Sequence, residues 1–263
     1  MRAIELRSEY LKNPVGIDIK SPRFMWSLDG KDKKQTGYQI EVLKGSEIVW
    51  DSGKIESDKT IHIAFEGPDF ESRDIGKWRV KVWNEKNEES DWSEWAWFEL
   101  GLLKASDWTA QWLNPEKETD PEKRYSASYL RKNFKLKDGI RKARLYITSC
   151  GIYEAFLNGK RIGNQVLTPG TTSYKKRIQY QTYDVTNLLN EGGNAIGVVL
   201  GDGWFRGSSG MVSVRNVFGE NIALLCQLEI ETENEKVTIV SDQSWKATQE
   251  GPVRFNDMKH GEI

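Results

Sequence analysis

The sequence predicts a nearly all-β protein made of two β-sandwich domains. Apolar and polar residues alternate along many short segments, which is the pattern of strands with one buried face. Glycine, asparagine and proline separate these segments at turns. Nine of the eleven tryptophans lie at or before Trp112, so the chain also divides into two parts of different composition.

The first part is predicted to form a sandwich of the immunoglobulin or fibronectin type III kind. Residues 78–83 alternate side chains across two faces, and residues 91–100 are predicted to form the next strand after a polar turn. Residues 38–43 and 47–50 flank a turn at Gly45, which is the pattern of a β-hairpin. Short strands at this spacing fit a sandwich of about 100 residues.

The domain boundary is predicted near Gly101, which gives domains of residues 1–101 and 102–263. A polar run at residues 114–124 has no apolar side chain besides two prolines and indicates a solvated loop. Trp108 and Trp112 are expected to pack near the junction.

The second part is predicted to form a jelly-roll sandwich resembling galactose-binding domains. Asn158-Gly159 is the strongest two-residue signal for a tight hairpin. The helical candidate is a turn at residues 186–189, and a glycine-rich loop is expected over residues 201–210. The predicted strands are residues 144–148, 152–157, 193–200, 222–231 and 236–240.

Composition argues against several partners and environments. The formal net charge is -1, so no global basic field attracts nucleic acid or an anionic membrane. No apolar run approaches the ~20 residues that span a bilayer. The opening MRAIELRSEYL lacks the apolar core of a signal peptide, and Cys150 and Cys226 are expected to be reduced and buried. These observations predict a cytoplasmic protein.

The sequence predicts no catalytic residue and no metal site. His62 and His260 lie in different domains without a ligand-spaced partner. Gly-x-Ser-x-Gly is absent, and no histidine lies in the same segment as Cys150. Any two of the 39 acidic residues can meet in space, so a chance carboxylate pair for glycoside hydrolysis carries little weight.

The tryptophans around residue 93 allow two interpretations. Trp92 and Trp95 can form a platform on which a sugar stacks, or they can alternate with Arg79 and Lys81 of the neighbouring strand. Because alternate residues of paired strands share a face, the spacing favours a ladder of cation–π contacts.

The loop at residues 201–210 has the composition most typical of a binding site. Its glycines permit left-handed backbone, while Asp202, Trp204 and Arg206 supply the stacking and bidentate hydrogen bonding used in carbohydrate recognition. The alternative is that Trp204 and Phe205 fill the end of the sandwich or a domain interface.

Ordered sets of motifs in both halves resemble bacterial α-L-rhamnosidases, and the resemblance covers essentially the whole chain. In the first half they are NPVGID at residues 13–18, PRFMW at 22–26, QTGYQI at 35–40 and WDSGK at 50–54. In the second half they are YEAFLNGKRIG at residues 153–163, LTPG at 167–170, YQTYDVT at 180–186 and LGDGWF at 200–205.

The resemblance implies that the catalytic machinery lies outside this sequence. In the family, a fibronectin-like domain and a jelly roll precede an (α/α)6 barrel, whose carboxylates release terminal L-rhamnose with inversion. Residues 255–263 resemble the end of the accessory region. No catalytic residue is therefore carried over, and the missing C-terminal barrel is the implied partner.

The resemblance raises calcium as a cofactor, but the residues argue against it. Some relatives bind rhamnose through calcium with an acidic–amide pair and a tryptophan. The matching positions fall near Ser149-Cys150 and at Thr171, which are different residue types, so no cofactor is expected.

Three hypotheses of function follow from the sequence, the third being an adhesion or scaffolding protein, since paired β-sandwiches serve many such roles. The first is a structural, accessory region of an α-L-rhamnosidase, inactive alone and in contact with substrate at most on one side. The alternative is an autonomous module that binds L-rhamnose or a related sugar through Asp202, Trp204 and Arg206.

Overall fold

The computed structural model describes residues 1–32, 34–115, 120, 123–137, 139–208, 210, 214–259 and 261–262, with only the backbone of Glu262. It divides the chain into two compact units, Met1–Asp107 and Trp108–Ile263. The division falls a few residues after Gly101, because a short 3-10 turn at Ala105–Asp107 ends the first unit. Among the described residues, no helix has the length and apolarity needed to cross a membrane.

The first unit is a β-sandwich of two sheets, as predicted. One sheet has the strand order β1-β3-β7 and the other β2-β9-β8-β4-β5, with β6 paired to β4. Every pairing is antiparallel except the parallel pair β2 and β9. The strands are β1 (Arg2–Ser8), β2 (Val15–Ile17), β3 (Arg23–Asp29), β4 (Gln35–Lys44), β5 (Glu47–Asp51), β6 (Ile55–Glu56), β7 (Ile63–Ala64), β8 (Ile75–Asn84) and β9 (Ala96–Leu100).

Alternate residues of each strand form the core of this unit. Trp78, Val80 and Val82 of β8 all point inward and are at most 1% exposed. The Trp78 ring stacks on Phe24 of β3, with centroids 4.3 Å apart, so the two sheets interlock through aromatic side chains. Burial of each such side chain stabilises the fold by roughly 1.5–3 kcal/mol. The indole N–H of Trp78 donates to Ser8 Oγ at 3.0 Å, so its one polar group is satisfied.

The cation–π ladder predicted for the tryptophan-rich segment is confirmed. The Arg79 guanidinium lies 4.5 Å from the ring centroid of Trp92 and 4.6 Å from that of Trp95. Lys81 lies 5.1 Å from the Trp92 ring and 5.3 Å from the Trp83 ring. Cations and indole rings therefore alternate along the solvent face of β8.

The strand predicted over residues 91–100 is shorter than expected, and the prediction was wrong for residues 91–95. Serine hydroxyls take over part of the backbone pairing there. Ser93 Oγ accepts the N–H of Val80 at 3.1 Å, and Ser90 Oγ accepts the N–H of Val82 at 3.0 Å. A side chain thus replaces the backbone carbonyl as acceptor, which ends the regular ladder.

The second unit consists of two facing sheets and a small hairpin. The strand orders are β13-β12-β15-β10-β18, β14-β11-β16-β17 and β19-β20. Its elements are β10 (Ser128–Leu136), β11 (Ile140–Cys150), β12 (Ile152–Leu157), β13 (Lys160–Arg161), β14 (Gln181–Asp184), a 3-10 turn (Thr186–Leu188), β15 (Gly192–Gly201), α1 (Gly203–Arg206), β16 (Ala223–Thr232), β17 (Lys236–Val240), β18 (Lys246–Thr248), β19 (Asn256–Asp257) and β20 (Gly261–Glu262).

The predicted turn signals of this unit are confirmed. Asn158 and Gly159 adopt φ values of +52° and +79°, and the strands on either side pair Leu157 with Lys160. Two positive φ angles at the centre of a two-residue loop match the twist of antiparallel strands. The hairpin of β16 and β17 and the 3-10 turn also lie where the sequence placed them.

The core of the second unit lies between its two large sheets. Leu145 and Ile147 of β11 face Val198 and Leu200 of β15, and none of the four is more than 2% exposed. Cys226 lies in the same core, whereas Cys150 is partly buried, and both thiols are free.

The ring of Phe98 makes Gly76 a sensitive position in the first unit. A Cβ at Gly76 would lie 2.2 Å from the ring of Phe98, which is itself 0% exposed and contacts Phe70. We expect Gly76→Ala to lower the free energy of unfolding by about 1–3 kcal/mol, measured by urea denaturation. Gly193→Ala is the control, because a Cβ there meets no atom within 4 Å. Equal stability of both variants would contradict this packing.

Candidate functional site

The loop predicted at residues 201–210 contains a short helix, α1, which the sequence analysis missed. Gly203 begins it with φ +55°, a left-handed conformation that favours glycine. A Cβ at Gly203 would also lie 2.9 Å from the backbone nitrogen of Ile152. The chain after β15 therefore turns tightly against β12, and Asp202 becomes fully buried.

The carboxylate of Asp202 forms ion pairs with two arginines. Arg206, one helical turn later, donates from Nε at 2.8 Å and from Nη2 at 2.6 Å to Asp202 Oδ1. Arg215 donates from Nη2 to the other oxygen, Oδ2, at 2.9 Å. The exposed fractions of the three side chains are 0% for Asp202, 3% for Arg206 and 12% for Arg215. Each carboxylate oxygen thus has a cationic donor, as a buried charge requires.

Further contacts connect this cluster to distant parts of the chain. The Arg206 guanidinium lies 5.0 Å from the ring centroid of Tyr125, and Arg215 donates to the Lys123 carbonyl at 2.9 Å. The backbone N–H of Asp202 donates to Asn256 Oδ1 at 2.6 Å. We call Asp202, Arg206, Arg215, Asn256 and Asp257 the Asp202 cluster.

Asp257 is the second carboxylate of the Asp202 cluster. Its Oδ2 accepts from Ser208 Oγ at 2.8 Å and from the Ser208 N–H at 3.1 Å, and it lies 3.9 Å from Arg215 Nε. Among the described residues, that Nε is buried without a hydrogen-bond partner, so the Asp257 charge faces it through space. β19 is therefore joined to the segment that follows α1.

The aromatic residues of α1 differ in their surroundings. Phe205 contacts Tyr174 edge-on, with centroids 5.3 Å apart, and Tyr174 contacts Phe218 at 4.9 Å. Trp204 is half-buried. The contacts of Phe205 agree with the interpretation in which this segment fills the end of the sandwich.

The structure brings two of the predicted sugar-binding residues together, since Asp202 and Arg206 form an ion pair with each other. A sugar hydroxyl could reach the Asp202 carboxylate only by displacing a buried guanidinium. The contacts of Asp202 and Arg206 with each other favour a structural role for both. Carbohydrate binding by Asp202, Trp204 and Arg206 stays a prediction. Arg215 and Asp257 were not predicted from the sequence, because no motif links them to the glycine-rich loop.

The described residues contain no group of three or more His, Cys, Asp or Glu side chains that could hold a metal ion. His62 Nε2 instead lies 2.7 Å from the hydroxyl of Tyr10. His260 lies outside the described residues. Cys150 and Thr171, near which the calcium-binding positions of relatives were placed, supply no carboxylate.

The ionisation of Asp257 generates a pH-dependent prediction. Burial raises the pKa of Asp257, but hydrogen bonds from Lys259 and Ser208 and the charge of Arg124 together hold this pKa below its ordinary 3.8. The unfolded chain has the ordinary pKa, so the ionised group stabilises the fold above about pH 4 and loses this effect as the pH falls through the lowered value.

We therefore expect Asp257→Asn to be less stable than the unaltered chain at about pH 7, with a gap that narrows towards about pH 3. Urea unfolding at both pH values measures the gap. Glu154→Gln is the control, because this carboxylate pairs at the surface with Arg161 in the same unit. A gap that is the same at both pH values would count against the assigned role of Asp257.

Two family models match the chain, one for each unit. Residues 3–104 match the Rha78A-like N-terminal immunoglobulin domain, and residues 138–263 match the α-L-rhamnosidase N-terminal domain. The order of these matches agrees with the resemblance seen in the sequence.

Curated relatives and solved structures are similar to this chain over nearly its whole length. An α-L-rhamnosidase of Formosa agariphila is 39% identical over 97% of the chain, and one of Alteromonas sp. is 37% identical over 95%. The chain spans 29% of the length of each of these relatives.

The structure of the α-L-rhamnosidase from Aspergillus terreus matches 99% of the chain with a TM-score of 0.90 and 33% identity. That from Dictyoglumus thermophilum matches all of it with a TM-score of 0.89 and 36% identity. The chain covers 31% of each structure. Its two domains therefore belong to two families of α-L-rhamnosidase N-terminal regions, the Rha78A-like N-terminal immunoglobulin domain and the α-L-rhamnosidase N-terminal domain.

Proposed function

We propose that this chain is the accessory N-terminal region of an enzyme that hydrolyses terminal L-rhamnose from glycosides, and that the catalytic residues lie in further sequence. One observation carries the proposal: two N-terminal domain families match in order, while the chain spans only 29% of its curated relatives. Its partner is then a C-terminal catalytic domain in the same protein.

The chemistry of the described residues supports a structural role. The most site-like segment, around α1, uses its carboxylate and its guanidinium to neutralise each other inside the protein. The ladder of Arg79 and Trp92 is likewise formed by side chains that contact one another. Both features fix the backbone rather than present free acids and bases to a substrate.

The cytoplasm is the proposed location. Cys150 and Cys226 are both free, which suits a reducing compartment. In the register of β11 and β16, Cys150 lies opposite Ala223 and Cys226 opposite Ile147, so the two thiols are not neighbours across the sheet.

The proposal predicts where rhamnosidase activity will be found. The 263-residue chain should release no product from an aryl α-L-rhamnoside. The same chain, expressed together with the coding sequence that follows it, should release the aryl group at a readily measured rate. Released aryl alcohol is followed by its absorbance.

The matched control is the downstream part expressed without this chain, which we expect to be less stable to heat than the joined protein. Turnover by the purified 263-residue chain, or absence of turnover by the joined protein, would overthrow the proposal.

A further inference from the structure

A shallow pocket of about 290 Å³ lies on the outer face of the sheet β14-β11-β16-β17. We call it the Trp112 pocket and define it by its aromatic floor (Trp108, Trp112 and Tyr180) and its basic edge (Lys175, Lys176 and Arg177). It belongs entirely to the second unit and does not include the Asp202 cluster.

The aromatic floor is held in place by backbone and side-chain contacts. The backbone N–H of Thr109 donates to Gln227 Oε1 at 2.7 Å, so the segment before β10 crosses the outer face of β16. Trp108 then contacts Tyr180 edge-on, with centroids 5.3 Å apart. Trp112 keeps 47% of its surface exposed. An exposed indole in a pocket that two other rings also line is a surface on which an apolar face of a ligand can stack.

The basic edge carries three positive charges on one turn. The N–H groups of Lys176 and Arg177 both donate to the Ser173 carbonyl, at 2.7 and 3.1 Å, which fixes the backbone of this turn. The three side chains are exposed. The pocket lining contains no acidic residue, and within the described part of the chain none of the three cations has a carboxylate partner within 4.0 Å.

Charge and shape together indicate the ligand. Three neighbouring cations without a paired acid create a positive potential on a chain whose net charge is only -1, so they attract an anion. Lysine and arginine form strong, charge-assisted hydrogen bonds with carboxylates. The exposed Trp112 ring suits the C–H face of a sugar ring, and the pocket volume suits one or two such rings.

We propose that the Trp112 pocket binds an acidic saccharide, with a uronate carboxylate on the basic edge and the sugar ring on Trp112. The choice of a saccharide rests on the proposed function, since a glycosidase meets glycosides. Single-stranded nucleic acid fits less well, because such sites take about 4–16 nucleotides along a basic groove.

The test is calorimetric titration of the 263-residue chain with α-1,4-digalacturonate and with the neutral digalactose of the same linkage. We expect the acidic disaccharide to bind on the order of fivefold more tightly, as for an exposed ion pair. This advantage should vanish at about 1 M salt, where the Debye length is about 3 Å.

Substitutions test separately how the aromatic floor and the basic edge contribute to binding. Trp112→Ala should abolish binding of both disaccharides. The triple variant Lys175→Met, Lys176→Met and Arg177→Met should remove only the preference for the acidic one. Trp95→Ala and Lys160→Met are the matched controls, because Trp95 is 41% exposed in the other unit and Lys160 is an exposed cation on the β12–β13 hairpin. Both controls should bind like the unaltered chain.

The proposal falls if the two disaccharides bind equally, if neither binds, or if a decathymidylate binds more tightly than digalacturonate. If Trp112→Ala does not fold, the salt dependence of binding by the unaltered chain still tests whether the preference for the acidic disaccharide is electrostatic. Rhamnosidase activity of the joined enzyme is measured separately. If the joined enzyme is active but the 263-residue chain binds no uronate, this inference is wrong and the proposed function stands.

Discussion

The second domain depends on a buried carboxylate, that of Asp202, shared by two arginines. Removing three charged groups from water costs several kcal/mol per ion, and this cost is offset only if each charge is paired and hydrogen-bonded. Arg206 and Arg215 meet this condition from opposite oxygens of Asp202. Asn256 also accepts from the Asp202 backbone, which connects strand β19 to the start of helix α1.

Local signals in the sequence predicted much of the fold. Asn158-Gly159 determines its own hairpin, because both residues tolerate positive φ. The ladder of Arg79 and Lys81 with the tryptophans follows from the period of two along paired strands. Residues 91–95 were predicted wrongly as strand. A backbone N–H can donate to a serine hydroxyl instead of a backbone carbonyl, and the pattern of apolar residues does not show which acceptor is used.

The candidate site was less predictable than the fold. Its composition of Gly, Asp, Trp and Arg is typical of sugar recognition, yet the same residues serve equally well as a buried ion pair with an aromatic plug. The contacts of Arg215, which lies 13 residues after Asp202, and of Asp257, which lies far along the chain, favour the second use. The Trp112 pocket shows the opposite case, since its lysines and arginine resemble any solvated turn until the fold places an exposed indole beside them.

These features divide the second domain into a fixed end and an open face. The charged side chains of the Asp202 cluster pair with one another inside the protein, whereas the Trp112 pocket presents rings and charges to solvent. Under the proposed accessory role, the Asp202 cluster would stabilise the domain and the Trp112 pocket would be the part available to a glycoside. The sequence segment most like a binding site is thus the one whose charged side chains pair with each other.

The structural role of the Asp202 cluster is tested most directly by a double-mutant cycle between Asp202→Ala and Arg215→Met, with stability measured by urea unfolding. We expect a coupling energy of about 1–3 kcal/mol, because Arg215→Met leaves Asp202 with Arg206 as its one cationic partner among the described residues, whereas Asp202→Ala removes the carboxylate that Arg215 binds. A coupling near zero, with Asp202→Ala as stable as the unaltered chain, would show that this carboxylate does not hold the domain together.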